Sequence, residues 1–131
     1  MANSINVLAA GSLRLVWEQL TQAFTEAPGT KVKTEFGPAG LLRQRIEQGE
    51  KTDLFASANT AHPLAIQQQG RALEVNTFCG NSLCLVARDT PELDGLNWLS
   101  VLLDSRFRLA TSTPQSDPSG DYTLQMFEEI E

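Results

Sequence analysis

The feature that most constrains this sequence is a junction it repeats: an apolar run fit for a strand, a break of small residues, and a helical pattern starting at once. The first begins with Ile5-Asn6-Val7-Leu8-Ala9-Ala10, breaks at Gly11-Ser12, and continues with Leu13, Val16, Trp17, Leu20 and Phe24 at helical spacing. The second begins with the alternating residues 31–36, where Val32, Thr34 and Phe36 share a side. It breaks at Gly37-Pro38-Ala39-Gly40 and opens a helix with Leu42 and Ile46 on one face and Arg43, Gln44 and Glu47 on the other. In the third, a strand at 107–111 leads through a loop at 112–120 into a helix with Tyr122, Met126 and Ile130 spaced four apart. Strands alternating with helices predict an α/β architecture with mostly parallel sheets.

The intervening sequence fills in this scheme. Pro28-Gly29 ends the first helix by turn chemistry, and Gly49 supplies a stop for the second. Residues 53–58 read as a compact strand, and Thr60 as the N-cap of a helix running to Gln69, with Gly70 beyond it. Two further strands are expected at 75–78 and 83–87, separated by Gly80-Asn81, then a loop at 89–95 and a short helix at 98–103. The final helix ends Glu128-Glu129-Ile130-Glu131. Carboxylates sit badly at the negative end of a helix macrodipole, so this helix is expected to run on in a longer protein.

A length of 131 residues suits one ordinary domain or a large part of a two-lobed protein. With 41% hydrophobic and 20% charged residues the composition is that of a globular chain rather than a disordered one. No apolar run approaches the roughly 18 residues of a membrane span. The opening Met1-Ala2-Asn3-Ser4 lacks the basic and apolar regions of a signal peptide, which fits an intracellular protein or a mature N-terminus. A net charge of -6 with scattered Lys and Arg excludes nucleic acid as the expected partner. Cys79 and Cys84, with one distant histidine, are a poor zinc set and are expected to be buried free thiols.

Chemistry concentrates at the three breaks, Ala10-Gly11-Ser12, Pro38-Ala39-Gly40 and Pro118-Ser119-Gly120. The first N–H groups of a helix have no partner within it and carry partial positive charge. Small residues let a ligand approach that backbone. Several such ends converging would bind an anion without Lys or Arg, and Ser12 and Ser119 would add hydroxyl donors. A hydrogen bond to a charged group contributes about 1.5–3 kcal/mol. About six or seven of them cover micromolar to nanomolar affinity, roughly 8–12 kcal/mol. Any single junction is also the ordinary capped turn of an α/β protein, and periodicity alone does not separate the readings.

At these junctions the chain resembles the periplasmic molybdate-binding proteins of ABC transporters, within the type 2 periplasmic binding protein fold. The likeness rests on Leu8-Ala9-Ala10-Gly11-Ser12-Leu13, residues 36–49 (FGPAGLLRQRIEQG), and Asp53-Leu54-Phe55-Ala56-Ser57-Ala58. It continues through Gly80-Asn81-Ser82-Leu83 and residues 114–122 (PQSDPSGDY), so it runs through nearly the whole chain in order. The resemblance implies two α/β lobes, with residues 1–80 forming most of lobe one and 81–131 beginning an incomplete lobe two. It implies capture of a molybdate- or tungstate-like oxyanion between the lobes, delivery to a membrane ABC permease, a periplasmic location, no cofactor and no catalysis. Molybdenum or tungsten would be bound as its oxyanion, not as a ligated metal ion. By position, the implied binding residues are Ser12, Ala39 and Ser119, with Gly11 and Gly40 beside them. Ala39 stands where the family commonly has serine, which removes a hydroxyl but leaves the backbone N–H. Tyr122 matches a family position but reads as helix packing.

The same fold also serves as the effector domain of transcription regulators, and helix-start anion sites occur in enzymes of phosphorylated substrates. No motif-supported nucleophile or general base favours an enzyme. His62 reads as a surface residue, Asp53 as a cap for backbone N–H groups, and Arg43 and Arg45 as solvated or ion-paired. Trp17 reads as core, and Trp98 as the anchor of its short helix. An incomplete second lobe would expose apolar surface, so partial disorder or self-association is expected.

Overall fold

The computed structural model describes residues 4–25 and 29–130. Three strands form one parallel sheet in the order β2-β1-β3, with β1 at Ser4–Ala10, β2 at Lys31–Gly37 and β3 at Leu54–Ala56. β1 pairs with β2 from Ser4 opposite Lys31 to Ala10 opposite Gly37, and with β3 from Val7 opposite Leu54 to Ala9 opposite Ala56. Parallel strands need a crossover, and helices supply it here. A 3-10 turn at Gly11–Leu13 leads into α1 (Arg14–Thr25), and α2 (Ala39–Glu47) links β2 to β3. α3 (Ala61–Gln68) follows β3.

The carboxyl half of β1, from Val7 to Ala10, is buried on both faces, as in a central parallel strand, and its residues alternate between two cores. On one face Leu8 packs with Leu42 and Ile46 of α2 and Ile66 of α3. On the other, Val7, Ala9 and Ala56 are covered by Leu13, Trp17, Val32 and Phe36. Trp17 therefore packs as expected, edge-on to Phe36 at 6.5 Å, with its Nε1–H donating to Thr34 Oγ1 at 2.8 Å. Val16, Leu20 and Phe24, read as part of the same stripe, remain about half exposed, so the covered face of α1 is narrower than its apolar arc.

The expected elements and the observed ones agree through residue 70. α2 and α3 are followed by Gly49 and Gly70, both in the left-handed conformation. Gly29 is left-handed too, while Pro28, the other half of that expected turn, lies outside the described residues. The N-cap of α3 is a refinement: Thr60 makes no side-chain cap bond, and Asn59 Oδ1 accepts from the His62 N–H at 3.2 Å instead.

Beyond residue 70 the expectation fails. Residues 75–78, 83–87 and 107–111 form no strand. An apolar run becomes a strand only when a neighbour completes its hydrogen bonds, and among the described residues no ladder reaches these segments. The expected second parallel sheet is absent from the described residues. Cys79 and Cys84, expected to be buried, are exposed free thiols for the same reason. The loop at 89–95 contains a 3-10 turn at Pro91–Leu93. The short helix forms as α4 (Trp98–Leu103), capped by Asn97 Oδ1, which accepts from the Ser100 N–H at 2.8 Å. Trp98 is half exposed rather than an anchor. The chain closes with α5 (Pro118–Ile130).

Candidate functional site

The carboxyl ends of β1 and β2 open onto a hollow of about 670 Å³. This is the crevice where open parallel sheets bind ligands. β1 ends in Ala10, and the chain turns at once through Gly11 and Ser12; β2 ends in Gly37 and turns through Pro38 into α2 at Ala39. All six residues line the hollow. Pro118 and Ser119 of α5 form another part of the wall. Three junctions separated by scores of residues in sequence thus meet at one cavity.

Each expected site residue has a distinct setting. Gly11 and Ser12 are exposed and open to the hollow. Neither the 3-10 turn, entered from Ala10, nor α2, entered from Pro38, has a side-chain cap bond. Ala39 lines the hollow but is only 1% exposed, its backbone and methyl alike set back from the surface. Gly40 stands apart: it is buried beneath the 112–117 segment, and its N–H donates to the Ser116 carbonyl at 3.3 Å. A Cβ at Gly40 would lie 2.5 Å from the Gln115 carbonyl oxygen. Gly40 is therefore a packing position, not part of the lining.

Ser119 lies on the hollow, yet its donors are engaged. Asp117 Oδ1 accepts from the Ser119 N–H at 2.9 Å and from the Ser119 hydroxyl at 2.8 Å, and Ser112 Oγ lies 2.6 Å from Ser119 Oγ. Asp117 thus caps α5 and itself lines the hollow. Sequence reading missed it, although Asp117-Pro118 carried the signal: an N-cap acid followed by proline at the first helical position. Tyr122, read as helix packing, also faces the hollow, together with Met126, Ala58 and Asn81-Ser82-Leu83.

The remaining candidates fall outside the hollow. Asp53 is structural as expected: its Oδ2 accepts from the Asn6 N–H at 2.8 Å, and its own N–H donates to the Asn6 carbonyl at 2.9 Å. Arg43 pairs with Glu47 at 2.8 Å, and Arg45 bridges Glu35 and Glu50. Hydrogen bonds from Gln69 and then Arg43 hold the Glu47 carboxyl below its ordinary range. His62 is not the surface residue expected, since both ring nitrogens lie out of water without a partner. Burial first, then the charge of Arg43, lowers its pKa. Among the described residues no group of His, Cys, Asp and Glu could hold a metal ion, and no helix is long and apolar enough to cross a membrane.

Comparison with known proteins places this geometry. The profile of the bacterial extracellular solute-binding protein family matches residues 5–131. An uncharacterized protein of Pasteurella multocida is 47% identical over 128 residues, covering 97% of this chain and 53% of that protein. The molybdate-binding protein ModA of Escherichia coli is 29% identical over 135 residues, covering 96% of this chain and 51% of ModA. The chain thus spans about half the length of these relatives. A solved chain assigned as the substrate-binding domain of a molybdenum ABC transporter from Clostridium difficile superposes with a TM-score of 0.50 at 28% identity, over 52% of this chain and 30% of that one. With a profile match over nearly its whole length, and a parallel sheet whose strand ends open onto a cleft, the chain belongs to the family of bacterial extracellular solute-binding proteins.

Proposed function

We propose that this chain is the ligand-capturing part of the solute-binding component of an ABC importer, and that its ligand is a tetrahedral oxyanion such as molybdate or tungstate. The observation that carries the reading is the meeting of three helix starts, two of them directly after β1 and β2, on one hollow whose described lining has no lysine or arginine. Backbone N–H groups behind Gly11, Ser12 and Ala39, with the Ser12 hydroxyl, are the donors such an anion needs, while the Ser119 hydroxyl stands beside them already bonded to Asp117. Ligand identity is supported by ModA of Escherichia coli and by the Clostridium difficile domain, both tied by name to molybdenum.

In this reading residues 1–80 supply lobe one and 81–131 contribute to lobe two. The cleft closes on the anion without altering it, in the periplasm, and a membrane permease receives it. No cofactor takes part. Calorimetry on the protein at its natural length is expected to give saturable heat with molybdate or tungstate, and silence with every tetrahedral oxyanion would end the proposal. Ser12→Ala is expected to weaken binding by about 1–3 kcal/mol, the worth of one hydrogen bond to a charged group. An unchanged affinity would remove Ser12 from the site.

A further inference from the structure

Asp117 is the one charged side chain among the described residues that line the hollow. Its Oδ1 takes both the Ser119 N–H and the Ser119 hydroxyl, the two donors that an entering oxyanion would use at the tip of α5. The second hydroxyl there, Ser112 Oγ, is tied to the same group through Ser119. The α5 tip therefore already holds an anion, supplied by the chain itself.

We infer that Asp117 sets the charge selectivity of the hollow, disfavouring doubly charged oxyanions relative to singly charged ones of the same shape. The inference rests on the oxyanion reading above. A dianion meets twice the Coulomb repulsion that a monoanion meets at the same distance, while both offer the same tetrahedral acceptors to the same donors. The competing role is that Asp117 merely caps α5. Asparagine caps a helix as well as aspartate does, so Asp117→Asn removes the charge and keeps the cap.

The test titrates two tetrahedral anions of similar size, molybdate with two charges and perrhenate with one, into the parent protein and D117N at natural length. D117N is expected to raise molybdate affinity about tenfold or more and perrhenate affinity only about threefold, with the difference shrinking as salt is added. Asp117→Ser, a second neutral cap, should reproduce the pattern if D117N folds poorly. Equal changes for the two anions, or weaker molybdate binding in both variants, would overturn the inference and leave the oxyanion reading intact. Binding of neither anion to any of the three proteins would overturn both.

Discussion

His62 carries a consequence at the scale of a single residue. Its ring nitrogens are shielded from water and unpartnered. Among the charged groups acting on it, Arg43 disfavours the imidazolium, while Asp121 and Glu47 favour it less than burial opposes it, so its pKa is lowered in the folded protein. A group whose folded pKa lies below its unfolded value of about 6.5 contributes its full stability above that pH. The contribution is lost as pH falls through the folded value. His62→Leu, which keeps the volume and cannot charge, is therefore expected to flatten the decline of Tm as pH falls below about 6.5. Parallel declines in parent and variant would remove His62 as the cause. Roles that follow from residue type were legible in sequence: Arg43 and Arg45 form ion pairs, and Asp53 accepts from a backbone N–H, although its partner Asn6 lies on β1. The burial of His62 was not, because other segments fold against it; the cap made by Asp117 is local, but its place on the hollow depends on the ends of β1 and β2.

At the scale of elements, the 112–117 loop packs on the start of α2, and Gly40 is where they touch. The loop carries Gln115 at φ 68°, a left-handed non-glycine backbone, and the Gln115 N–H donates to Asp121 Oδ1 at 2.5 Å. Gly120 fits in the same way against the Ser112 carbonyl and Pro114. Two effects oppose each other in Gly40→Ala. Alanine improves helix propensity by about 1 kcal/mol, whereas a methyl forced against two backbone carbonyls costs about 1–3 kcal/mol and is relieved only by moving the loop. The steric effect should win: Gly40→Ala is expected to lower Tm slightly and to speed proteolysis within 112–117. A raised Tm with unchanged protection would mean that the loop does not seat there. This docking also separates what was readable from what was not. Elements up to residue 70 carry clear periodicity and each strand finds a ladder partner in one sheet, so the pattern found β1, β2 and α1 to α3. The runs at 75–78, 83–87 and 107–111 have strand-like composition without a ladder partner, and composition alone does not supply one.

Over the whole molecule, apolar burial is uneven. The sheet and its helices hold the buried core, Val7, Leu8, Ala9, Leu42 and Ile66 among it, while Leu73 and Val86 of the strand-free stretch are 103% and 82% exposed and Leu15 of α1 is 92% exposed. Phe78, Leu85 and Leu103 are also more than half exposed. Single exposed apolar residues are ordinary on any surface, but a stretch from Leu73 to Val86 with several of them and no sheet to cover them is not. The net charge of -6 opposes association over long range, yet its reach at physiological salt is only about 8 Å, so it does not prevent apolar contact. The 131-residue chain is therefore expected to self-associate, with a weight-average mass in sedimentation that rises with concentration and rises further when salt is added. Substituting Leu73 and Val86 together by serine should restore monomers without loss of the sheet, since neither belongs to its core. A parent chain that stays monomeric across the dilution series, with slow hydrogen exchange throughout 71–90, would show that these side chains are covered in solution, and the hollow at the strand ends would then be walled on that side by ordered chain.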